Sequence, residues 1–403
     1  MRALRLSGGA AAFAAMAMVW ASLGAAPQVA LASAPVQTAP LAAPPVVRAT
    51  AVTTGFVHSC ALTTTGAAKC WGYNGEGELG DNTKVDSAKP VPVYGLGKGV
   101  LAISAGSYFT CALTTKGAVK CWGSNSYGQL GDNTTTDSAR PVLVYGLGRG
   151  VKAISAGNFF ACALTTTGAV KCWGANTYGQ LGNGTTTGSA KPVAVKGFAS
   201  GALGLGAGGY HACAVTSKRA PRCWGYNGEG ELGDNTKVNS ARPVAVYGLT
   251  QGVKSLSAGA YSTCALTMKG AVKCWGYNGD GELGNNTTTS TTKPVAAFGL
   301  TKNVSAIAFG DIHGCALTAA GVVKCWGYNG YGALGDNTTT SSPRAVGVYN
   351  MGATVKGIAA GGYHSCAVTT QGRVKCWGFN AYGQLGNGTV ITSHKPVKVL
   401  GLS

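Results

Sequence analysis

The sequence predicts an all-β chain made of seven copies of one unit. Each copy carries four short strands of the kind that form a propeller blade. Three observations carry this. Cysteines fall at 60, 111, 162, 213, 264, 315 and 366, with partners at 70, 121, 172, 223, 274, 325 and 376, so every step is 51 residues. The stretch 70–85, CWGYNGEGELGDNTKV, recurs verbatim at 223–238. Helical spacing of apolar residues is absent, and short apolar runs are punctuated by Gly, Thr, Asn and Ser. A fixed period of this length marks a solenoid, propeller or array whose units stack into one continuous structure.

The second unit shows the strands in order. The first is 100–105 (VLAISA), closed by Gly106, and the second is 108–114 (YFTCALT). After a turn at Thr115-Lys116-Gly117 comes the third, 118–123 (AVKCWG). A long polar turn, 124–138, leads to the fourth, 141–145 (PVLVY), bounded by Gly146. A three-residue hairpin loop with Gly in the left-handed third position would set Thr114 opposite Ala118. Counting outward, Cys111 then faces Cys121 in a non-hydrogen-bonded pair, with Cα atoms at about 4.5 Å, within reach of a disulfide. The count holds for Gly66, Gly168, Gly270, Gly321 and Gly372. Arg219-Ala220-Pro221 replaces the Gly turn in the fourth unit, where a different loop is expected. A zinc site or a redox pair would want closer cysteines. Seven staples are therefore expected: Cys60–Cys70, Cys111–Cys121, Cys162–Cys172, Cys213–Cys223, Cys264–Cys274, Cys315–Cys325 and Cys366–Cys376.

The N-terminus reads as a secretory signal. Arg2 and Arg5 precede the uncharged stretch 6–26, and Ala30-Leu31-Ala32 offers a small-residue cleavage site. Residues 1–32 are expected to be removed, with an uncleaved anchor as the alternative. Residues 33–49 form a Pro/Ala-rich linker, and 50–403 hold the repeats. Disulfides and a signal together place the chain in the cell envelope or outside the cell, without a membrane span once the signal is cut.

The residues around the seventh cysteine pair add a resemblance. Gly362-Tyr363-His364-Ser365-Cys366-Ala367-Val368, Gly372-Arg373-Val374-Lys375-Cys376-Trp377-Gly378-Phe379-Asn380 and Gly383-Gln384-Leu385-Gly386 resemble the regulator-of-chromosome-condensation repeat. The likeness recurs in all seven units. It implies a seven-bladed β-propeller with four short antiparallel strands per blade and ring closure between the chain ends. The family's nuclear namesake exchanges nucleotide on the GTPase Ran through an inserted β-wedge, for which no unit here has room. A secreted bacterial relative docks one propeller face on β-lactamases and is nearer in compartment.

Candidate functional residues come from registers repeated at 51. His58, His211, His313 and His364 share a register with Phe109, Phe160 and Ser262, so a structural role is expected for them. No nucleophile elbow or phosphate-binding loop is present. Asn74/Glu76/Glu78, Asn227/Glu229/Glu231 and Asn278/Asp280/Glu282 are similar to the start of a calcium loop, but the distal Glu is missing. No metal or cofactor is therefore expected. The turns after Trp-Gly carry Tyr73, Tyr127, Tyr178, Tyr226, Tyr277, Tyr328, Tyr331, Phe379 and Tyr382, good contact material for a protein partner. Lys89, Arg140, Lys191, Arg242, Lys293, Arg344 and Lys395 form a candidate anion-binding ring. Lys69, Lys120, Lys171, Arg222, Lys273, Lys324 and Lys375 form a second ring, and both also suit edge positions that block aggregation. The net charge of +19 fits either use. The expectation is a secreted, monomeric, non-enzymatic module that binds a protein. Attachment to acidic envelope polysaccharide through these Lys/Arg rings is the first alternative. Exchange-factor activity and a hydrolase or lyase at the central channel rank lower, and nucleic acid is not expected.

Overall fold

A computed structural model describes residues 47–352 and 354–402. The expected signal segment and residues 33–46 of the linker lie outside the described residues. The described chain forms seven four-stranded antiparallel sheets, each built from four consecutive strands. In blade 1 these are β1 (Ala49–Thr54), β2 (His58–Thr63), β3 (Ala68–Gly72) and β4 (Ser87–Pro92). In blade 2 they are β5 (Val100–Ala105), β6 (Phe109–Thr114), β7 (Val119–Gly123) and β8 (Ser138–Leu143). The fourth strand thus begins three residues before the expected run. Ser138 pairs with Gly123 across a bulge, and its hydroxyl donates to the Arg140 carbonyl (2.8 Å), which lets a polar segment join the outer edge.

The hairpin register is as counted. Cys111 pairs with Cys121, and the seven disulfides span Cα–Cα distances of 4.0–4.1 Å. The fourth unit corrects one expectation: Cys213 and Cys223 keep the common register, and the loop does not differ. Arg219 enters the left-handed region (φ 59°) where Gly117 has φ 75°. The disulfide and flanking pairs outweigh the cost of about 1–2 kcal/mol for a non-Gly residue there.

The core lies between blades. In blade 1, Cys60, Cys70, Leu79, Val93 and Leu96 pack against Val100, Ala112 and Trp122 of blade 2. The indole Nε1 of Trp122 donates to the Glu78 carbonyl (2.8 Å). The pattern repeats around the ring, and the chain ends close it: Trp71 donates to the Gln384 carbonyl (2.9 Å), and the Ala49 amide to the Gly372 carbonyl (2.8 Å). The seven repeat tryptophans, from Trp71 to Trp377, are fully buried.

Two registers explain how the blades lock. Gly55, Gly106, Gly157, Gly208, Gly259, Gly310 and Gly361 ring the axis. A Cβ on any of them would lie 2.0–2.3 Å from the next glycine's carbonyl, so only glycine admits this approach. The four expected structural histidines are the second lock. His58 Nε2 lies 2.8 Å from Thr110 Oγ1, which donates to the Glu78 carbonyl (3.0 Å), so the imidazole proton sits on Nε2. His211–Thr263, His313–Ser365 and His364–Ser59 repeat the tie at 2.7–2.8 Å. Burial holds these imidazoles neutral, with pKa values lowered to about 3, or about 4 for His313. Where the register holds Phe109 or Phe160, the next blade offers Ala161 or Ala212 in place of the hydroxyl.

Candidate functional site: an aromatic, acidic loop face

Antiparallel order puts the first-to-second and third-to-fourth strand connections of every blade at one end of the ring. Each third-to-fourth loop folds around a buried asparagine. Asn74 Oδ1 accepts from the Leu79 amide (2.8 Å), and Nδ2 donates to the Thr83 and Val85 carbonyls (both 3.1 Å). This holds Tyr73 at the surface, its ring lying over Gly75, where a Cβ would meet the hydroxyl at 2.1 Å. The same Tyr–Gly pair recurs at Tyr226–Gly228, Tyr277–Gly279 and Tyr328–Gly330. The asparagines of the calcium-like motif are therefore internal struts, and Glu78 Oε2 accepts from the Glu76 amide (3.0 Å).

The nine aromatics expected at a protein-binding face all project from this end. The structure adds a second tier that the sequence reading missed: Phe56, Tyr108, Phe159, Tyr210, Tyr261 and Tyr363, from the first-to-second strand connections. A signal was available. Five of the seven residues three before each first cysteine are aromatic (Tyr108, Phe159, Tyr210, Tyr261 and Tyr363), and Val57 and Ile312 complete the register. Together the tiers make two arcs of rings. One runs through Tyr108, Phe56, Tyr363, Phe379, Tyr382 and Tyr73, with centroids 5.1–6.3 Å apart. The other joins Tyr127, Phe159, Tyr210, Tyr178, Tyr226 and Tyr261. Tyr277 stands outside both. The first arc encloses a bowl of about 320 Å³ lined by Phe56, Val57, Tyr73, Tyr108, Tyr331, Tyr363, Phe379 and Tyr382.

Charge is sorted along the axis. All thirteen carboxylates of the chain lie in the connections of this end, which hold only two bases, Lys84 and Lys237. Those two pair with Glu76 (3.3 Å) and Glu229 (3.4 Å). Glu78, Glu231 and Glu282 are buried, and desolvation pushes them up to about 8, 7 and 7. Their register holds Gln129, Gln180 and Gln384 in other blades, so a neutral carboxyl suits it. At the channel mouth Asp311 is the one charged residue of its register. Burial raises it to about 6. A hydrolase or lyase on the axis would call for an acid–base pair, and Asp311 is the one carboxylate among the described residues lining the mouth.

The basic registers lie elsewhere. The third residues of the fourth strands, Lys89 and its six equivalents, form the outer perimeter and are exposed. Four of them cap an aromatic ring of the preceding blade: Arg140 over Tyr94 (4.8 Å), Lys191 over Tyr145 (5.0 Å), Lys293 over Tyr247 (4.9 Å) and Arg344 over Phe298 (5.3 Å). They are inter-blade ties as well as charges. In the second basic register, Lys375 Nζ donates to the Met351 carbonyl (2.7 Å).

Profiles of the Regulator of chromosome condensation (RCC1) repeat match residues 49–78, 100–129, 151–180, 253–282, 304–333 and 355–384, and a second such profile covers seven segments from 69 to 403. The chain belongs to the RCC1-repeat family. The first profile passes over the fourth unit, the one carrying Arg219 at the hairpin. Among RCC1-repeat relatives, the ultraviolet-B receptor UVR8 of Arabidopsis thaliana is 30% identical over 361 residues, 87% of this chain and 82% of that protein. The human E3 ubiquitin-protein ligase HERC2 is 32% identical over 284 residues, 69% of this chain but 6% of that protein. The solved structure of Prp20p from Saccharomyces cerevisiae, described with its binding to Gsp1p and histones, has the same fold. Its TM-score is 0.74 at 23% identity, over 88% of this chain and 87% of that one.

Proposed function

We propose that this RCC1-repeat propeller is a secreted binding module whose aromatic loop face docks on a protein partner. The observation that carries the reading is the two-tier aromatic annulus, gathered at one end by loops that rigid blades hold in place. Tyrosine offers large, stiff, amphipathic contact area at low entropic cost. Half-exposed rings such as Tyr127 (55%) and Tyr331 (40%) are available without rearrangement. Protein binding in relatives such as Prp20p agrees with this use of the fold. Seven disulfides suit an oxidising compartment, in line with the signal-like N-terminus. Exchange-factor activity of the nuclear kind lacks support, because the units keep their 51-residue spacing with no inserted ribbon. The test is capture of partners from the source organism's envelope and medium. A discrete protein retained at ~1 M salt, where the Debye length is about 3 Å, and lost on Tyr127→Ala/Tyr178→Ala supports the face. Retention indifferent to those tyrosines refutes it.

One observation favours a second reading. The end opposite the aromatic face carries bases and, among the described residues, no carboxylate. Lys116, Lys218, Arg219 and Lys269 in its hairpin turns, with Lys98 and Arg149 in its inter-blade connections, would hold an acidic polysaccharide while the aromatic end faces outward. Diffuse retention that vanishes with salt and falls on Lys116→Ser/Lys218→Ser is the expected sign.

A further inference from the structure

The bowl in the first aromatic arc has beside it a carboxylate, Asp311, that is seated at the channel mouth and has no ion-pair partner among the described residues. Asp311 sits at the channel mouth, its amide bonded to the Gly361 carbonyl (3.2 Å). Next in that register is Gly362, and a Cβ there would strike the Phe56 ring at 2.5 Å. Phe56 thus leans across Gly362 toward the Asp311 side of the mouth, and the same ring lines both the mouth and the bowl. The Asp311 charge reaches Tyr108 and Tyr363 of the bowl, where it adds to desolvation in raising both phenols. Among the described residues, the Asp311 side chain makes no ion pair and no hydrogen bond.

We propose that this bowl recognises a cation: the ammonium or guanidinium of a Lys or Arg side chain presented by the protein partner, held among Phe56, Tyr108, Tyr363 and Tyr382 with Asp311 as counter-ion. The inference rests on the reading of this end as the protein-binding face and names what that face selects. Ring geometry favours a compact cation over a ligand that needs one flat stacking face. The rings meet at interplanar angles of 50–77°, so they form walls turned in several directions rather than one stacking platform. Electrostatics agrees, because this end gathers every carboxylate of a chain that is otherwise strongly basic, and its two lysines are already paired. Size agrees too. About 320 Å³ lies at the small end of ligand pockets, enough for one long side chain and too little for a folded element.

The test uses the full, oxidised chain and three N-acetylated tripeptide amides, Gly-Lys-Gly, Gly-Arg-Gly and Gly-norleucine-Gly, with tetramethylammonium chloride as a minimal cation. Binding is followed by calorimetry at low salt and by shifts of the tyrosine ring protons. The expected result is that Lys and Arg peptides bind about tenfold or more tighter than the norleucine peptide, and that tetramethylammonium competes with them. Asp311→Asn, close in shape, should bring Lys and norleucine within about twofold, and Tyr363→Ala should weaken both. Lys116→Ser at the opposite end should change neither. Equal binding of norleucine and Lys overturns the cation site while leaving an apolar docking face standing. Unchanged Lys preference in Asp311→Asn also overturns it. No binding by any probe, together with partner capture indifferent to Tyr127 and Tyr178, overturns both the site and the face.

Discussion

Replacing Thr110 by Ala should cost more stability than its size suggests, and replacing His58 by Phe at the same time should restore most of it. Thr110 Oγ1 accepts from His58 Nε2–H and donates to the Glu78 carbonyl. The carbonyl keeps the Trp122 indole as a second donor. The imidazole keeps nothing, since Nδ1 of His58 is already buried without a partner. Thr110→Ala therefore strands a buried donor, costing about 1–3 kcal/mol, and removes a packed methyl for about 1 kcal/mol more. His58→Phe alone crowds the hydroxyl for about 1–3 kcal/mol. The double change recreates the Phe–Ala pair that blades 2 and 3 already use and should cost under about 1 kcal/mol. The implied coupling is about 2 kcal/mol or more. The assay is the shift of the denaturant midpoint at constant slope for the four proteins of the cycle. Single effects that simply add, within about 0.5 kcal/mol, would refute the reasoning.

The same buried groups set the pH response. Histidines with folded pKa values of about 3–4 against 6.5 unfolded lose stability as pH falls below 6.5, about 1.4 kcal/mol per unit each. Glu78, Glu231, Glu282 and Asp311, raised to about 6–8, work in the opposite sense: their contribution is present at low pH and lost as pH rises through those values. Four groups oppose four, so denaturant midpoints should be nearly level from about pH 4.5 to 6 and drop steeply below about 4; a steady fall from pH 6.5 would contradict this. Glu78→Gln, copying Gln129, should stabilise more as pH rises, gaining about 3 kcal/mol over the wild type between pH 6 and pH 9, read from the same midpoints. Arg219→Gly should raise stability by about 1 kcal/mol by relieving its left-handed backbone. Thiol titration of the denatured, unreduced protein should find no free cysteine, and Cys111→Ala/Cys121→Ala should cost about 2–3 kcal/mol.

Strict periodicity made the fold legible, since a count of 51 fixed the blades and a count of ten residues fixed the hairpins and their disulfides. What it did not disclose was the coupling between registers, because the partners are some 52 residues apart: His58 with Thr110, Phe109 with Ala161. The charge sorting was equally present in the string, yet it becomes visible only when antiparallel order shows which connections share an end. The aromatic second tier stayed hidden beside the histidine register, where Tyr108 and Tyr363 read as neighbours of a structural position. These cases suggest how to separate architecture from function in a chain of near-identical units. A departure matched by a compensating change, as Tyr73 is by Gly75 or His58 by Thr110, is explained by packing. Asp311 has no such match: its register elsewhere holds Phe56, Ser107, Asn158, Gly209, Ala260 and Gly362, and no base from a neighbouring blade meets it. A charge that the fold neither needs nor neutralises is best accounted for by something outside the fold, and the rings of the bowl stand where that something would bind.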